Sequence, residues 1–375
     1  AKSIRRVGMR EVLKKFLIAV LSLFLLLVIL VCSYMVYMNS SYYRIEDNLS
    51  LEVINNQKIM LEKDTEYSIL TYNIGFGAYD QQYSFFMDVG TMKDGTVMTG
   101  KFSRGMSQEN VLKNTKGSIH LINELATDFI LLQEVDVKAT RSYQINQKEM
   151  IENSLSHYGR VFALNFHAPY MLYPFYEPHG SVESGLLTLS RYQISSAKRM
   201  SYPVDNGFFA KFFDLDRCFV ITRYEVGNGK ELVLINNHMS TYDKDGMIRA
   251  KQLELLNTMM KQEYDQGNYV IVGGDFNHVL NIDEEAFPSE QLVPSWVNSL
   301  SDEELPDGMK IVNASNNLEV ATCRDSDIPY IKGVNYITIL DGFIISDNIV
   351  ANAENIDADF MYSDHNPVKL TFKLK

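Results

Sequence analysis

Residues 269–278 read YVIVGGDFNH: four apolar, strand-favouring residues, a glycine pair, then an acid, an aromatic, an amide and a histidine. A short apolar run closed by glycines reads as a buried strand. Its polar tail lies where that strand would surface. In extended chain, residues i and i+2 point to one face, so Asp275 and Asn277 stand side by side. Gly273 and Gly274 allow a tight turn and the close approach of a substrate. Taken alone the pattern is only moderately specific, because turns are rich in Gly, Asp and Asn for local reasons.

The same arrangement recurs outward from this stretch. Asn73 ends YSILTYNIG, Glu134 ends FILLQEVD, and His238 ends LVLINNHMS. Asp341 interrupts YITILDGFII, and Asp364 with His365 precedes VKLTF in YSDHNPVKLTF. Loops held by rigid strands are where chemistry is usually placed. Acids, amides and two histidines converging from six strand ends describe a site for a hard metal ion and phosphate.

The chain has 375 residues, and its beginning is of another kind. Residues 16–37 contain no charged side chain. A helix of that length spans roughly 33 Å, enough for a bilayer. Lys2, Arg5, Arg6, Arg10, Lys14 and Lys15 precede it, against the single acid Glu11. By the positive-inside rule the N-terminus is cytoplasmic and everything beyond residue 37 is extracellular. The apolar stretch is long for a cleaved signal peptide and lacks an A-x-A-like exit. Val31 before Cys32 is too bulky for a lipoprotein signal. The expected organisation is a basic cytoplasmic segment (1–15), a single-pass signal-anchor in the cell membrane (16–37), a tether (38–65) and one catalytic domain (66–375).

The whole chain carries a formal charge of −12, and removing the net +5 of residues 1–15 leaves −17 for the rest. So acidic a domain lacks the broad basic footprint of a sequence-independent nucleic-acid binder, although a local basic groove is compatible with it. Three histidines or cysteines at zinc spacing are absent, which disfavours zinc. Cys218 and Cys323 are available for pairing outside the cell, but spacing does not establish their proximity.

Nine strand-like runs and few helices fill the domain. Ser107 caps an expected helix through Leu125, with Val111, Leu112, Ile119 and Ile122 on its apolar side. A second begins at Asp245, buries Ile248, Leu253, Leu256 and Met259, and ends at Gly267. Hairpin-like pairs such as 218–226 with 231–238 argue for two packed, mostly antiparallel sheets with helices outside, not a parallel doubly wound sheet. Two aromatic-rich loops, 76–106 and 165–183, flank site residues. Their rings either pack onto the domain, wall a lipid or aromatic substrate, or form a membrane-contacting edge.

For the chemistry, Glu134 is preset at a sheet rim to hold a metal, with Asn73 and Asp364 in company. Asp275 is placed to orient or deprotonate water, and Asn277 to donate to a phosphate oxygen. An imidazole beside a carboxylate is held in one orientation and favoured as imidazolium. Asp341 is the expected partner of His365, and Glu183 that of His238. His120, His157, His167, His179 and His278 are read as structural.

In this order the segments resemble the endonuclease/exonuclease/phosphatase superfamily, over about residues 66–375. The resemblance implies a four-layer α/β sandwich. It also implies Glu134 as the main metal ligand, with Asn73 beside the metal. Glu183, in ESGLLTLSRY, is then the partner of His238, with Asn236 its neighbour. Asp275 and Asn277 come from GGDFN, Asp341 from LDGFIIS, and Asp364 and His365 from SDHNP. Asn237 stands where the family usually has Thr or Leu. RAKQLELL, with Arg249 and Gln252, is common among members and reads as structural support.

The expected activity is therefore an Mg²⁺-dependent (or Mn²⁺-dependent) phosphoric ester hydrolase, acting as a phosphodiesterase by in-line water attack. The acidic domain, tether and aromatic loops favour lipid or other surface head groups, as in the sphingomyelinase-type members. Extracellular cleavage of DNA or RNA is the alternative. A non-catalytic surface binding module is a third reading, disfavoured because no ligand or histidine is missing.

Overall fold

A computed structural model describes residues 2–204, 216–241 and 247–375, with side chains from residue 9 onward. It divides into two compact units, residues 1–43 and 44–375. The first is the helix Lys2–Ser41. Within it, Met9–Ser41 is long and apolar enough to cross a membrane.

The second unit begins earlier than the sequence indicated. Residues 44–65, expected as a free tether, belong to the folded body. Leu49–Ser50 pairs with Lys198 and Arg199 as an edge strand, and Leu61 is fully buried. Asn56 exchanges hydrogen bonds with the backbone of Ile194.

Two large sheets form the body. The seven-stranded sheet runs Leu49–Ser50, Ser196–Ser201, Cys218–Glu225, Glu231–His238, Tyr269–Asp275, Asp341–Ser346 and Met309–Ile311. The six-stranded sheet runs Ile349–Asn355, Val368–Leu374, Glu66–Asn73, Phe129–Ala139, Gly180–Ser190 and Gly159–Met171. Each contains one parallel pair, Glu231–His238 with Tyr269–Asp275 and Glu66–Asn73 with Phe129–Ala139. Every other pairing within them is antiparallel.

Alternation along the strands builds four layers. Ile69, Leu131, Leu234 and Ile271 meet in a core between the sheets. Their sequence neighbours point outward. Leu70 and Leu132 pack beneath Ile122 and Ile151 of the helices Gln108–Leu125 and Gln147–Ser154. Val233 and Val272 pack beneath Leu256 and Met260 of the helix Met247–Asp265. Ser107 caps the first of these helices as expected, accepting a hydrogen bond from Asn110 N. Asp245, the expected start of the second, lies outside the described residues.

Two runs depart from their sequence reading. The stretch 335–346 splits: Ile337–Thr338 pairs with Cys323–Arg324, whereas Asp341–Ser346 joins the large sheet. Thr322 Oγ1 accepts from both Leu340 N and Asp341 N at the break. The second aromatic loop is largely a hairpin, because Gly159–Met171 continues past Pro169. Register shifts between Leu164 and Phe166 and between Ala168 and Met171 absorb the irregularity a strand proline imposes. Cys218 and Cys323 are both buried and unbonded to one another.

Candidate active site

Register alone brings the site together. His238 lies directly opposite Asp275 at the carboxyl ends of the parallel pair, and Asp275 lies opposite Asp341 where the antiparallel neighbour begins. In the other sheet, Asn73 is level with Gln133, so Glu134 follows at the same rim. Asp364 and His365 precede Val368, which pairs with Thr71 near that rim. Seven predicted residues therefore meet where the two sheets end.

Gly274 makes the close pairing feasible. A Cβ there would lie 2.0 Å from Asn237 O, and its φ of +151° favours glycine. Glu134 has φ 55°, a left-handed conformation for a residue with a side chain, at a register break between Leu132 and Val135. Such bulges re-aim side chains beside active sites, and the local strain persists only where the surroundings over-determine it.

Asp275 is the hub. Its Oδ2 accepts from Asn73 Nδ2 at 3.1 Å, and lies 3.5 Å from His238 Nε2 and 3.7 Å from His365 Nε2. Asn73 Nδ2 also reaches Glu134 Oε1 at 3.5 Å, which is 4.0 Å from His238 Nε2. Asn277 anchors the loops behind this hub. Its Nδ2 donates to Met239 O, its Oδ1 accepts from Thr241 Oγ1, and its backbone N–H donates to Asp275 Oδ1.

The two histidines differ in charge. His365 Nδ1 donates to Asp341 Oδ2 at 2.7 Å. Burial is the largest single influence and would discharge this ring, but Asp341, with Cys323, Asp364 and Asp275, together outweighs it and favours the protonated form. His238 is held neutral, first by burial and then by the Arg217 guanidinium, which contacts both ring nitrogens at 2.6–2.7 Å.

That corrects one expectation. Glu183 is not the partner of His238: it faces His167 across the hairpin and interacts with that ring. Among the described residues, the polar groups bonded or paired to His238 are Arg217, Asn165, Glu134 and Asp275. Glu183 lies opposite Lys138, several residues beyond Glu134 at the rim.

Burial and the nearby charge of Asp364 push Glu134 toward protonation, with Arg141 opposing. Asp364 is likewise raised by burial. Two half-buried carboxylates at one rim, the charge of Asp364 disfavouring that of Glu134, are donors of the kind a hard divalent cation takes. Asp275, Asp341 and His365 form a second group able to hold a metal, their ligand atoms lying within 4.8 Å of one another. The bond between Asp341 and His365 already occupies one ligand position of that group.

A cleft of about 360 Å³ opens above these groups. Phe76, Tyr79, Phe85, Phe86, Phe166 and Tyr173 from the two aromatic segments contribute to its walls. Tyr83 is fully buried beneath them, while Phe175 is 83% exposed beyond the rim. The two segments thus divide between packing and lining.

Sequence reading missed Arg141, Arg217, Arg324 and Asp325, all of which line the cleft. Arg217 had a findable signal. The hairpin 218–226 with 231–238 sets Phe219 opposite Asn237, which carries Arg217 to the side of His238. Arg141 pairs with buried Asp136 and stacks 3.8 Å from the Phe76 ring centroid, a placement no local pattern announces.

Residues 70–302 match the Endonuclease/Exonuclease/phosphatase family, well over half of the chain. The chain belongs to that family. Among solved structures of this fold, TDP2 from C. elegans is 17% identical over 83% of this chain and 76% of that one, with a TM-score of 0.51. A family member from Beutenbergia cavernae is 14% identical over 82% of this chain and 72% of that one, with a TM-score of 0.52. One from Leptotrichia buccalis is 14% identical over 82% and 99%, with a TM-score of 0.51. At such identities the likeness is one of fold. No curated protein matches this sequence.

Remaining predicted positions are structural. Asn236 is buried between the sheets, accepting from Gln133 Nε2 and donating to Leu132 O, Leu187 O and Thr188 Oγ1. Gln252 braces the loop after His238 through Ser240, and Arg249 donates to Trp296 O.

Proposed function

We propose that this family member is a divalent-metal-dependent phosphoester hydrolase, a phosphodiesterase acting on lipid or other surface head groups. The observation that carries the reading is Asp275, fixed by Asn73 and flanked at 3.5 and 3.7 Å by two imidazoles from opposite sheets. Glu134, Asn73 and Asp364 would hold Mg²⁺ or Mn²⁺, which when bound polarises a phosphoryl oxygen and offsets its charge.

The protein's own groups supply the rest. Asp275 orients the attacking water and draws its proton. Protonated His365, held in one orientation by Asp341, directs Nε2 at the charge that develops on the phosphoryl oxygens. Arg217 fixes the ring of His238 on the other flank. Asn277 keeps Asp275 and the His238 loop in register.

Two observations favour a head group over a nucleic acid. The tip of the hairpin beside the cleft is apolar and exposed, with Tyr173, Phe175 and Tyr176 at 54, 83 and 73%. The helix Met9–Ser41 supports attachment to a membrane, and the six basic residues before it favour a cytoplasmic N-terminus and an extracellular domain.

The test is turnover by the full chain in micelles with Mg²⁺. Release of phosphorylated head group from phospholipid vesicles, lost in His365→Ala, is the expected result. Cleavage of plasmid DNA without head-group release transfers the site to the nuclease reading. No turnover of any phosphoester, with metal bound, leaves a binding module.

A further inference from the structure

A cation in the cleft has no part in the hydrolytic reading so far. Arg141 sits in the short helical turn Thr140–Ser142, directly after the strand that carries Glu134, and lines the cleft. Its Nε and Nη2 donate to Asp136 at 3.2 and 2.9 Å. Asp136 is fully buried and does not line the cleft, so this pairing occupies the edge of the guanidinium turned away from it. Among the described residues Nη1 has no hydrogen-bond partner, and burial does not close it off.

We propose that Arg141 is a substrate-binding residue that donates from Nη1 to a non-bridging oxygen of the scissile phosphoryl group. This rests on the phosphoester-hydrolase reading and adds a contact to that same site.

The guanidinium is fixed before any substrate arrives. Asp136 holds one edge, and Ser142 Oγ holds Asp136 in turn at 2.8 Å. The Phe76 ring lies 3.8 Å beneath one face, and Phe166 is 5.4 Å away. Phe76 takes φ 39° and ψ 27°, a left-handed conformation that a bulky residue keeps only where its surroundings impose it. The backbone is tied as well, since Arg141 O accepts from Gly105 N at 2.9 Å. A planar fork held by one edge and one face keeps Nη1 to offer and has little freedom left to lose.

Its neighbours place it beside the reacting groups. After burial, Arg141 is the largest influence on Glu134, ahead of Asp364, Arg217 and His365. Its charge also acts on His238, after burial, Arg217 and His365. Arg141 therefore borders the space between a metal-holding carboxylate of one sheet and the histidine of the other. Asp136 cancels much of its field at long range. What remains is short-ranged and directional, a charge-assisted hydrogen bond to an oxygen in contact. The other cleft arginines are engaged elsewhere. Arg217 contacts the His238 ring, and Arg324 gives its Nη atoms to Asp80 O, Tyr83 O, Asp325 O and Ser326 Oγ.

Phosphate binding decides the matter. Inorganic phosphate is titrated calorimetrically into the full chain in micelles with Mg²⁺. The unmodified protein should bind it at least about tenfold more tightly than Arg141→Lys, whose single ammonium cannot serve Asp136 and a phosphate oxygen together. Arg141→Met combined with Asp136→Asn removes the pair without leaving a buried charge alone, and should show the same loss. Each variant is read where Mg²⁺ still raises its Tm, which reports an intact fold and metal site. A purely structural clamp would leave phosphate affinity unmoved in such a variant. That result, or no phosphate binding by the unmodified chain, overturns the inference. Turnover of bis(p-nitrophenyl) phosphate in the same preparation tests the hydrolase reading separately. Turnover beside a phosphate affinity that neither variant moves keeps the hydrolase and removes Arg141 from its site. Phosphate binding that depends on Arg141, without turnover, removes the catalytic reading and leaves an anion site.

Discussion

His365 and Asp341 are joined by a 2.7 Å hydrogen bond that crosses from one sheet to the other. Asp341 opens a strand of the seven-stranded sheet, and His365 precedes a strand of the six-stranded one. The orientation of the imidazole is thus tied to how the sheets pack. Cys323 Sγ, 3.7 Å from His365 Nε2, is pushed up to about 12 by burial and stays a neutral thiol beside the ring.

Replacing Asp341 by Asn keeps the shape and removes the charge that holds His365 protonated. Turnover of bis(p-nitrophenyl) phosphate should fall by about 100-fold or more, within the range that positioned acid–base groups supply. Thermal unfolding should shift by far less than the activity. A variant that retains near-native kcat shows that the dyad is not part of the chemistry.

Chelation tests the paired carboxylates. Treatment with EDTA should abolish turnover, and Mg²⁺ or Mn²⁺ should restore it. A cation that binds only the folded state raises its stability with concentration. Tm should therefore climb with added Mg²⁺ in the unmodified chain, and much less in Glu134→Gln. Equal metal-induced shifts in both proteins would place the ion elsewhere.

Arg217 and Glu183 offer a contrast between what the structure and the sequence assign. Arg217→Ala frees the His238 ring and should cut kcat/KM by roughly 10–100-fold, the loss of one charged positioning contact. Glu183→Ala, which touches the His167 side of the hairpin, should leave kcat/KM within about twofold, as most changes outside a site do. The reverse ranking would restore Glu183 as the partner of His238.

His179 makes stability depend on pH. Burial lowers its imidazole to about 3, with Arg141 adding to the effect, while Nδ1 meets Ser103 O at 2.7 Å. The folded form excludes a proton that the unfolded chain binds below about 6.5. Stability should fall as pH drops through 6.5, and continue falling toward 3. Between pH 7 and pH 5 the unmodified chain should lose about 2 kcal/mol more than His179→Gln, measured by denaturant unfolding in micelles. Parallel pH profiles would show that this ring does not resist protonation.

Much of this site was legible because strands report on themselves. An apolar run that stops at an acid or amide marks both a buried strand and its rim, which placed Asn73, Glu134, His238, Asp275, Asp341 and His365 before any coordinates. What stayed hidden depends on contacts between distant segments. Glu183 was carried over from the resemblance of ESGLLTLSRY, whereas its strand sets it opposite Lys138, beyond the rim. Arg324 carries no local signature, since its partners are the carbonyls of residues some 240 positions away, and Arg141, although paired with nearby Asp136, lines the cleft through its stacking on the distant Phe76. The stretch 44–65 reads as part of a tether because its polarity is mixed and shows no period, while its place in the body rests on Leu61 and a two-residue edge strand.

The amide of Asn236 binds groups from two strands of the facing sheet at once. Sliding one sheet past the other by a single residue would strand that amide in a dry interior. The scaffold consequently behaves as one block with no hinge through its centre. Among the described residues the aromatic segments contribute to the cleft walls, so altering those walls can retune what enters while the reacting groups keep their places.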